Sequence, residues 1–472
     1  MNIFGHHAPR QFCVLACLDV AMLLSVLQLL DISQRCVGCF AGPLVQFDPP
    51  EAFLLTAGLL LITTAVGLYN NDAAQNLRII LKRFLVAWLI ILVPSVAVIA
   101  LTKIAAGLPF SELVGVLSLA ITLFMLIMLM LHVLLGWWLG LSFMKRRVLV
   151  LGDGPGAEAV TRFLIGPGRG HFHHLQTIRH WRAPECAPPR IGNLLVAVPA
   201  PERAPLSMLA ERLRTDEIIV AVDDHGGLPV AELMECKLHG MEVVDALIFW
   251  EREAGVIDSS KVEPGWLTFS SGFVFNHRHR VLKRALDLVV SLAFLVVALP
   301  VCLLTALAIR LESRGPIFYR QERVGLDGRI FKVWKFRSMR TDAEQDGVAR
   351  WAASADDRVT RVGRFIRKVR IDEIPQVINV LVGEMSFIGP RPERPVFVEQ
   401  LREVLPNYDL RHRMRPGITG WAQVNYRYGA SIEDARQKLS YDLYYLKKND
   451  VLLDFVILVQ TIRVVLFPVG AR

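Results

Sequence analysis

Four long apolar runs dominate the first third of the chain, from about Phe12 to Leu30, Ala52 to Tyr69, Ile79 to Leu101 and Leu113 to Phe143. Each is of membrane-spanning length, which predicts a bundle of four transmembrane helices over residues 1–144. Their flanks differ in charge. Arg10, Arg78, Lys82, Arg83, Lys145, Arg146 and Arg147 fall on one side, and Asp31, Arg35, Asp48, Glu51, Lys103 and Glu112 on the other. The positive-inside rule then places the N-terminus and everything after Lys145 in the cytoplasm, and no small-residue cleavage site follows the first run.

The pattern changes at Lys145. Val148 to Leu151 reads as a short buried strand, followed by a glycine turn and a helical run, with Gly152, Gly154 and Ala157 fitting a G-x-G-x-x-G/A fingerprint. Further strand-like runs at Leu194 to Val198 and Ile218 to Val222 support a small α/β unit of Rossmann-like type, ending near Phe249 and assigned to 145–256. Such a fingerprint serves either a dinucleotide or close packing. About twenty residues on, where an acid should hold a ribose, the chain reads "FHHLQTIRH", so packing is the preferred reading.

A fifth apolar run, Lys283 to Ser313, follows a linker at 257–280 and opens a second region at 281–472. Basic residues stand at both of its ends, Lys283 with Arg284 and then Arg310, and Pro300 lies near its middle. Both ends are thus marked cytoplasmic, which predicts a re-entrant helix over about 283–311 broken at Pro300; a fifth spanning helix is the alternative. The last run, "VLLDFVILVQTIRVVLF", carries Asp454, Gln460 and Arg463 on one stripe and reads as a helix on the membrane surface or packed on its own domain.

Composition agrees with a membrane protein: 53% of residues are hydrophobic, 21% charged, and the mean hydropathy is +0.40. The net charge of +9 suits anionic lipid headgroups or phosphorylated substrates. No basic stripe interleaved with aromatics points to nucleic acid. Seven cysteines are scattered, and Cys36 and Cys39 form a lone CxxC. No second pair completes a zinc site; unpaired loop cysteines are the simpler reading, and a disulfide the alternative in an oxidising compartment.

The chemistry concentrates at "RIDEIPQ", Arg370 to Gln376. Ile374, Val377, Ile378 and Leu381 recur with helical spacing, so a helix is expected from just after Arg370 to Gly383, with Asp372 near its N-cap and Pro375 in its first turn. Neighbouring residues on a helix diverge by about 100°, so Asp372 and Glu373 should hold separate roles rather than share a proton. Arg361, Arg364, Arg367, Lys368 and Arg370 lie upstream, and Arg391 stands between prolines downstream. An ionised carboxylate among fixed cations, beside a second acid able to hold a divalent ion, suits phosphoryl transfer through an acyl phosphate, and Mg²⁺ suits such an oxygen-only site.

The sequence here resembles the bacterial sugar transferases, the polyprenyl-phosphate phosphoglycosyl transferases. "LKRALDLVVS", "GPIFYRQERVGLDGRIFKVWKFRSMR", "DDRVTRVGRFIRKVRIDEIPQVINVLVGEMSFIGPRPERP" and "MRPGITGWAQVNYRYGAS" follow in the family's order from about Leu282 onward. The four helices and α/β unit resemble its large multi-helix branch, and "VAVDDHGGLPVAELMECKLHG" the exosortase-associated exopolysaccharide transferases. The resemblance implies a catalytic α/β, mostly helical domain with a re-entrant helix, on the cytoplasmic face of a bacterial inner membrane. It implies transfer of a sugar 1-phosphate from a UDP-sugar to undecaprenyl phosphate with release of UMP. It implies Asp372 as nucleophile, Glu373 as the second catalytic residue, helping to hold Mg²⁺, and Arg320, Arg323, Lys335, Arg337, Arg367, Arg391 and Glu393 lining the substrate site. Family habit implies a homodimer. In "GITGWAQVN", Trp421 and Gln423 are candidates for uridine contact or the membrane-facing rim, with a tight turn and a buried aromatic as the alternative. A nucleotide-sugar enzyme using NAD would need a Tyr-x-x-x-Lys pair near the glycine turn, but the one pair, Tyr444 and Lys448, lies far from it. A scaffold of polysaccharide export would show coiled-coil heptads, and none is present.

Overall fold

A computed structural model describes residues 145–166, 172–178, 205–222, 228–260, 269–273, 277–340, 358–426 and 431–466, with a few isolated positions and short stretches elsewhere, among them 80–92 and most of 122–133. Cys36, Cys39 and most of the four N-terminal apolar runs lie outside the described residues; 80–92 and 124–131, within the third and fourth runs, are helical. The chain divides into two units, Met1–Ala254 and Gly255–Arg472.

In the first unit the described core is an α/β region built in chain order from β1 (Arg146–Leu151), α1 (Pro155–Ile165), β2 (Phe172–Ile178), α2 (Leu206–Arg212), β3 (Glu217–Val220), α3 (Val230–Leu238), β4 (Glu242–Asp245) and α4 (Ala246–Glu253). The four strands form a parallel sheet in the order β2-β1-β3-β4. Strand alternation sorts the core into two layers. Val148, Val150 and Ile219 meet Val160, Leu164 and Phe249 of α1 and α4, whereas Leu149, Leu151 and Ile218 meet Leu206, Leu233 and Cys236 of α2 and α3. Covered on both faces, β1 from Val148 to Leu151 and β3 from Ile218 to Val220 are continuously apolar. Glu217, which opens β3, is charged yet fully buried, and is held by Arg252 at 2.5 Å and Arg146 at 3.1 Å.

Two sheet assignments differ from the sequence reading. Leu194–Leu195 pairs antiparallel with Arg190–Ile191 and does not enter the four-stranded sheet. Its place is taken by "FHHLQTI", whose polar residues are tolerated because β2 is an edge strand. Gly152 has φ +149°, and a Cβ there would collide with the carbonyl of Ala221, which accounts for the first fingerprint glycine by packing.

The second unit runs from α5 (His277–Glu312) through the hairpin β5 (Phe318–Val324) and β6 (Ile330–Phe336) to α6 (Arg361–Lys368), α7 (Gln376–Val382), β7 (Ser386–Ile388), α8 (Pro395–Val404), β8 (Gly417–Thr419), α9 (Trp421–Asn425), α10 (Ile432–Lys448) and α11 (Val451–Leu466). Leu439, Leu443, Tyr445 and Leu446 of α10 form its core with Leu453 and Ile457 of α11, Val398 and Leu401 of α8, and Ile388. Asp454 therefore turns inward, 1% exposed, and bonds Tyr445 and Lys283. Between the two sites expected for α11, packing on its own domain is the one observed.

α5 is long and apolar enough to cross a membrane. It stays helical through Pro300, so the proline does not end it as the sequence reading expected. Val296, Val297, Leu303, Leu304 and Leu307 along its middle are exposed. Its ends are anchored instead. Arg284 donates to the carbonyls of Val380 and Leu381 at 2.5 and 2.8 Å, Asp287 accepts from Ser386 and Phe387, and Ile309 packs on Phe336 and Ile366.

Candidate active site

The acidic pair stands in a tight turn between two helices. Thr360 caps α6 by accepting from Gly363 N at 2.9 Å. Arg370, with φ 58°, reverses the chain, and Ile371–Glu373 form a single 3₁₀ turn before α7. The helix thus starts at Gln376, with Pro375 as its N-cap, later than the spacing of Ile374 to Leu381 suggested, and Asp372 caps nothing. Its buried face is also rotated: Val377 and Val380 are covered while Ile378 is 37% exposed. Asn379 is the reason. Its side chain accepts from Trp334 N at 3.0 Å and donates to Lys332 O at 2.8 Å and Glu384 at 2.7 Å, splicing α7 to β6. Gly383 ends the helix in the left-handed region, as expected.

That splice sets Lys335 of β6 beside the acids. Its Nζ donates to Glu373 Oε1 at 3.0 Å. Arg391 forks across the same carboxylate, Nη2 to Oε1 at 2.6 Å and Nη1 to Oε2 at 3.3 Å. Burial opposes ionisation of Glu373, but Arg391 and Lys335 outweigh it and hold the carboxyl well below its usual range. Asp372 responds the other way: burial first, then the charge of Glu373, push it up to about 6 against the pull of Lys335, Arg367 and Arg391. At neutral pH both are ionised, with Asp372 the more basic and hence the better oxygen nucleophile of the two.

Arg391 is delivered by an arm after β7. β7 and β8 pair in parallel, Ser386 with Gly417 and Ile388 with Thr419. Side chains at Gly389 or Gly417 would collide with the facing backbone, so the two segments approach as bare main chain. The arm, Pro390 to Glu393, then crosses the hairpin, where Val324 N donates to Glu393 O at 2.9 Å and Arg323 to Pro392 O at 3.0 Å.

The other residues singled out from the sequence disperse. Arg367 acts on Asp372 through space. Arg323 braces the arm and pairs with Glu393 at 3.6 Å. Arg320 is exposed and lies 3.6 Å over the ring of Trp334. Arg337 turns away from the acids; it is 6% exposed and donates to Ser313 O, Ser313 Oγ and Arg314 O at 2.9 to 3.0 Å, closing the end of α5. Trp421 donates to Gly255 O at 2.7 Å and stacks on Tyr444, and Gln423 donates to Ile418 O, so the tight-turn reading of that motif fits their contacts. Sequence reasoning missed Asn379, Arg411 and Asp442. Asp442 was detectable, since it stands among the apolar Leu439, Leu443 and Leu446 of α10.

Among the described residues no group of three or more His, Cys, Asp or Glu could hold a metal ion by itself. Asp372 and Glu373 offer the oxygen donors that a divalent ion takes, but both oxygens of Glu373 are in contact with Arg391 or Lys335, so Glu373 would have to exchange one of these contacts to hold an ion.

Residues 278–468 match the family described as bacterial sugar transferase. The chain is 48% identical over 191 residues to a UDP-N-acetylgalactosamine-undecaprenyl-phosphate N-acetylgalactosaminephosphotransferase of Aeromonas hydrophila, covering 40% of this chain and 45% of the relative. It is 45% identical over 186 residues to a UDP-glucose:undecaprenyl-phosphate glucose-1-phosphate transferase of Escherichia coli (strain K12), covering 39% and 40%. With the exopolysaccharide production protein PSS of Rhizobium leguminosarum bv. phaseoli it shares 41% identity over 188 residues, 39% of this chain but 94% of the relative. The matches thus span less than half the length of the first two relatives and nearly all of the third. The chain belongs to the bacterial sugar transferase family.

Proposed function

We propose that this chain is a phosphoglycosyl transferase that moves a sugar 1-phosphate from a UDP-sugar to undecaprenyl phosphate. Asp372 attacks the sugar-bearing phosphorus, the bond from that phosphorus to the bridging oxygen breaks, and UMP departs with that oxygen. An oxygen of undecaprenyl phosphate then attacks the same phosphorus, breaks its bond to Asp372 and regenerates the carboxylate. The observation that carries this reading is the turn itself: a buried Asp372 raised to about 6 beside a Glu373 held by Lys335 and Arg391. Fixed cations there oppose the charge of a diphosphate and of the leaving UMP. Glu373 would hold Mg²⁺ together with donor phosphates, and the ion would supply further charge neutralisation.

The lipid acceptor requires a membrane site. α5 supports one, since its exposed apolar middle suits lipid while both ends are tied to the same body through Val380, Leu381 and Phe336. Unbent, a helix would separate residues 284 and 309 by about 37 Å, so a bend near Pro300 that returns both ends to the cytoplasmic face is the reading adopted. The N-terminal apolar runs are read as a multi-pass anchor in the inner membrane, and the parallel sheet as a Rossmann-like domain. Purified protein with lipid acceptor and a panel of UDP-hexoses and UDP-N-acetylhexosamines tests the function. UMP formation and an acid-stable sugar-phosphate adduct on Asp372 are expected; neither appearing with any donor overturns it.

A further inference from the structure

The arm that carries Arg391 has all four of its carbonyls engaged. Pro390 O accepts from Gly417 N at 2.9 Å, Arg391 O from Arg411 Nη2 at 2.9 Å, Pro392 O from Arg323 Nη1 at 3.0 Å and Glu393 O from Val324 N at 2.9 Å. Prolines at 390 and 392 remove two amides, so the carbonyls are the handles by which the arm is held. Two of the four donors are main-chain amides of β8 and β5. Arg411 is different in kind, because it reaches the arm from inside the protein.

Its guanidinium is 6% exposed, and each of its three nitrogens has a partner. Nε and Nη2 lie 3.0 and 2.9 Å from Asp442 Oδ2, Nη1 donates to the Tyr408 hydroxyl at 2.6 Å, and the remaining direction of Nη2 is the Arg391 carbonyl. Asp442 is 2% exposed and stands on α10 beside the core residues Leu439, Leu443 and Leu446. A buried ion pair contributes little net stability compared with apolar packing of the same volume. What it supplies here is a planar donor fixed in three directions.

We propose that Asp442 and Arg411 are positioning residues of the site, setting through the Arg391 carbonyl the register in which the Arg391 guanidinium meets Glu373. The proposal rests on the function assigned above only for its kinetic consequence; the geometric consequence stands alone. Tyr408 completes the set as the acceptor for Arg411 Nη1, 2.6 Å away.

The test uses the full-length protein in lipid nanodiscs, with Asp442→Asn, Arg411→Lys and Tyr408→Phe. Amide hydrogen exchange over residues 386–394 is measured without substrate, and kcat/KM for UMP release is measured in wild-type and Arg391→Lys backgrounds. Asp442→Asn and Arg411→Lys are expected to speed exchange in the arm by about tenfold or more, and to lower kcat/KM by a similar factor. In the Arg391→Lys background the same changes should cost less than about twofold, since the group they position is already misplaced. A smaller change in the same direction is expected for Tyr408→Phe, which removes one hydroxyl and remains informative where the charge variants fail to fold. Unchanged exchange in the arm, or losses that multiply independently of Arg391, overturn the proposal. A wild type that releases no UMP overturns the functional assignment instead, and the exchange data still decide the positioning.

Discussion

Arg391 spans both carboxylate oxygens of Glu373, at 2.6 and 3.3 Å, and Lys335 adds a third contact at 3.0 Å. Asp372, one residue away, feels the same two cations only through space. Two adjacent acids therefore diverge in proton affinity, one pulled down by contact and the other raised by burial. Asp372→Asn, which keeps the shape and removes the nucleophile, should abolish UMP release and the trapped adduct. Glu373→Gln should slow both while leaving an adduct detectable. Near-normal turnover by Asp372→Asn would remove Asp372 from its role.

Arg391→Lys keeps the charge and loses the fork. A lysine can meet one oxygen of Glu373 but not both in plane, so kcat/KM should fall about tenfold to a hundredfold. Steady-state UMP release, with thermal unfolding as a control for folding, measures it.

Arg337 leads to the opposite expectation. Because its guanidinium closes the end of α5 at Ser313 and Arg314, Arg337→Met should lower the unfolding midpoint by several degrees. The KM for the UDP-sugar should stay within about twofold. A large rise in KM at unchanged stability would return Arg337 to the substrate.

Where α5 ends can be read chemically. A cysteine tag inserted after Ser313 should react with a membrane-impermeant maleimide in inverted vesicles and not in intact spheroplasts. Labelling of spheroplasts would restore a fully spanning α5.

His412 offers a test by pH. Burial, then the charge of Arg411, bring it down to about 4, while Asp409 opposes the shift. The folded value lies below the unfolded one near 6.5, so the unfolded chain binds the proton first as pH falls. Stability from this residue is complete above about 6.5, is lost between there and about 4, and is on the order of 3 kcal/mol. The gap in unfolding midpoint between wild type and His412→Asn should therefore narrow from pH 7 to pH 4.5. A gap independent of pH would show that His412 does not titrate in this window.

Periodicity and turn chemistry were legible where one local rule sufficed. Val148 to Leu151 fell inside β1, Gly383 stopped α7, and the polar residues of α11 forecast a helix that does not simply face lipid. Direction was not legible. Arg337 and Lys335 are two residues apart on one run, yet one closes a helix and the other meets Glu373, because strand side chains two apart share a face only while the strand lasts, and β6 ends at Phe336. The face of α7 was misjudged because a polar residue with three partners, Asn379, behaves as core. No spacing rule anticipates that.

By fastening helix to hairpin, Asn379 also ties the segment that follows the acids to the strand that carries Lys335, which itself meets Glu373. On the function proposed above, accommodation of an arriving diphosphate would then fall to the proline-bounded strap that carries Arg391, whose guanidinium would trade a carboxylate for a phosphate by rotating its side chain.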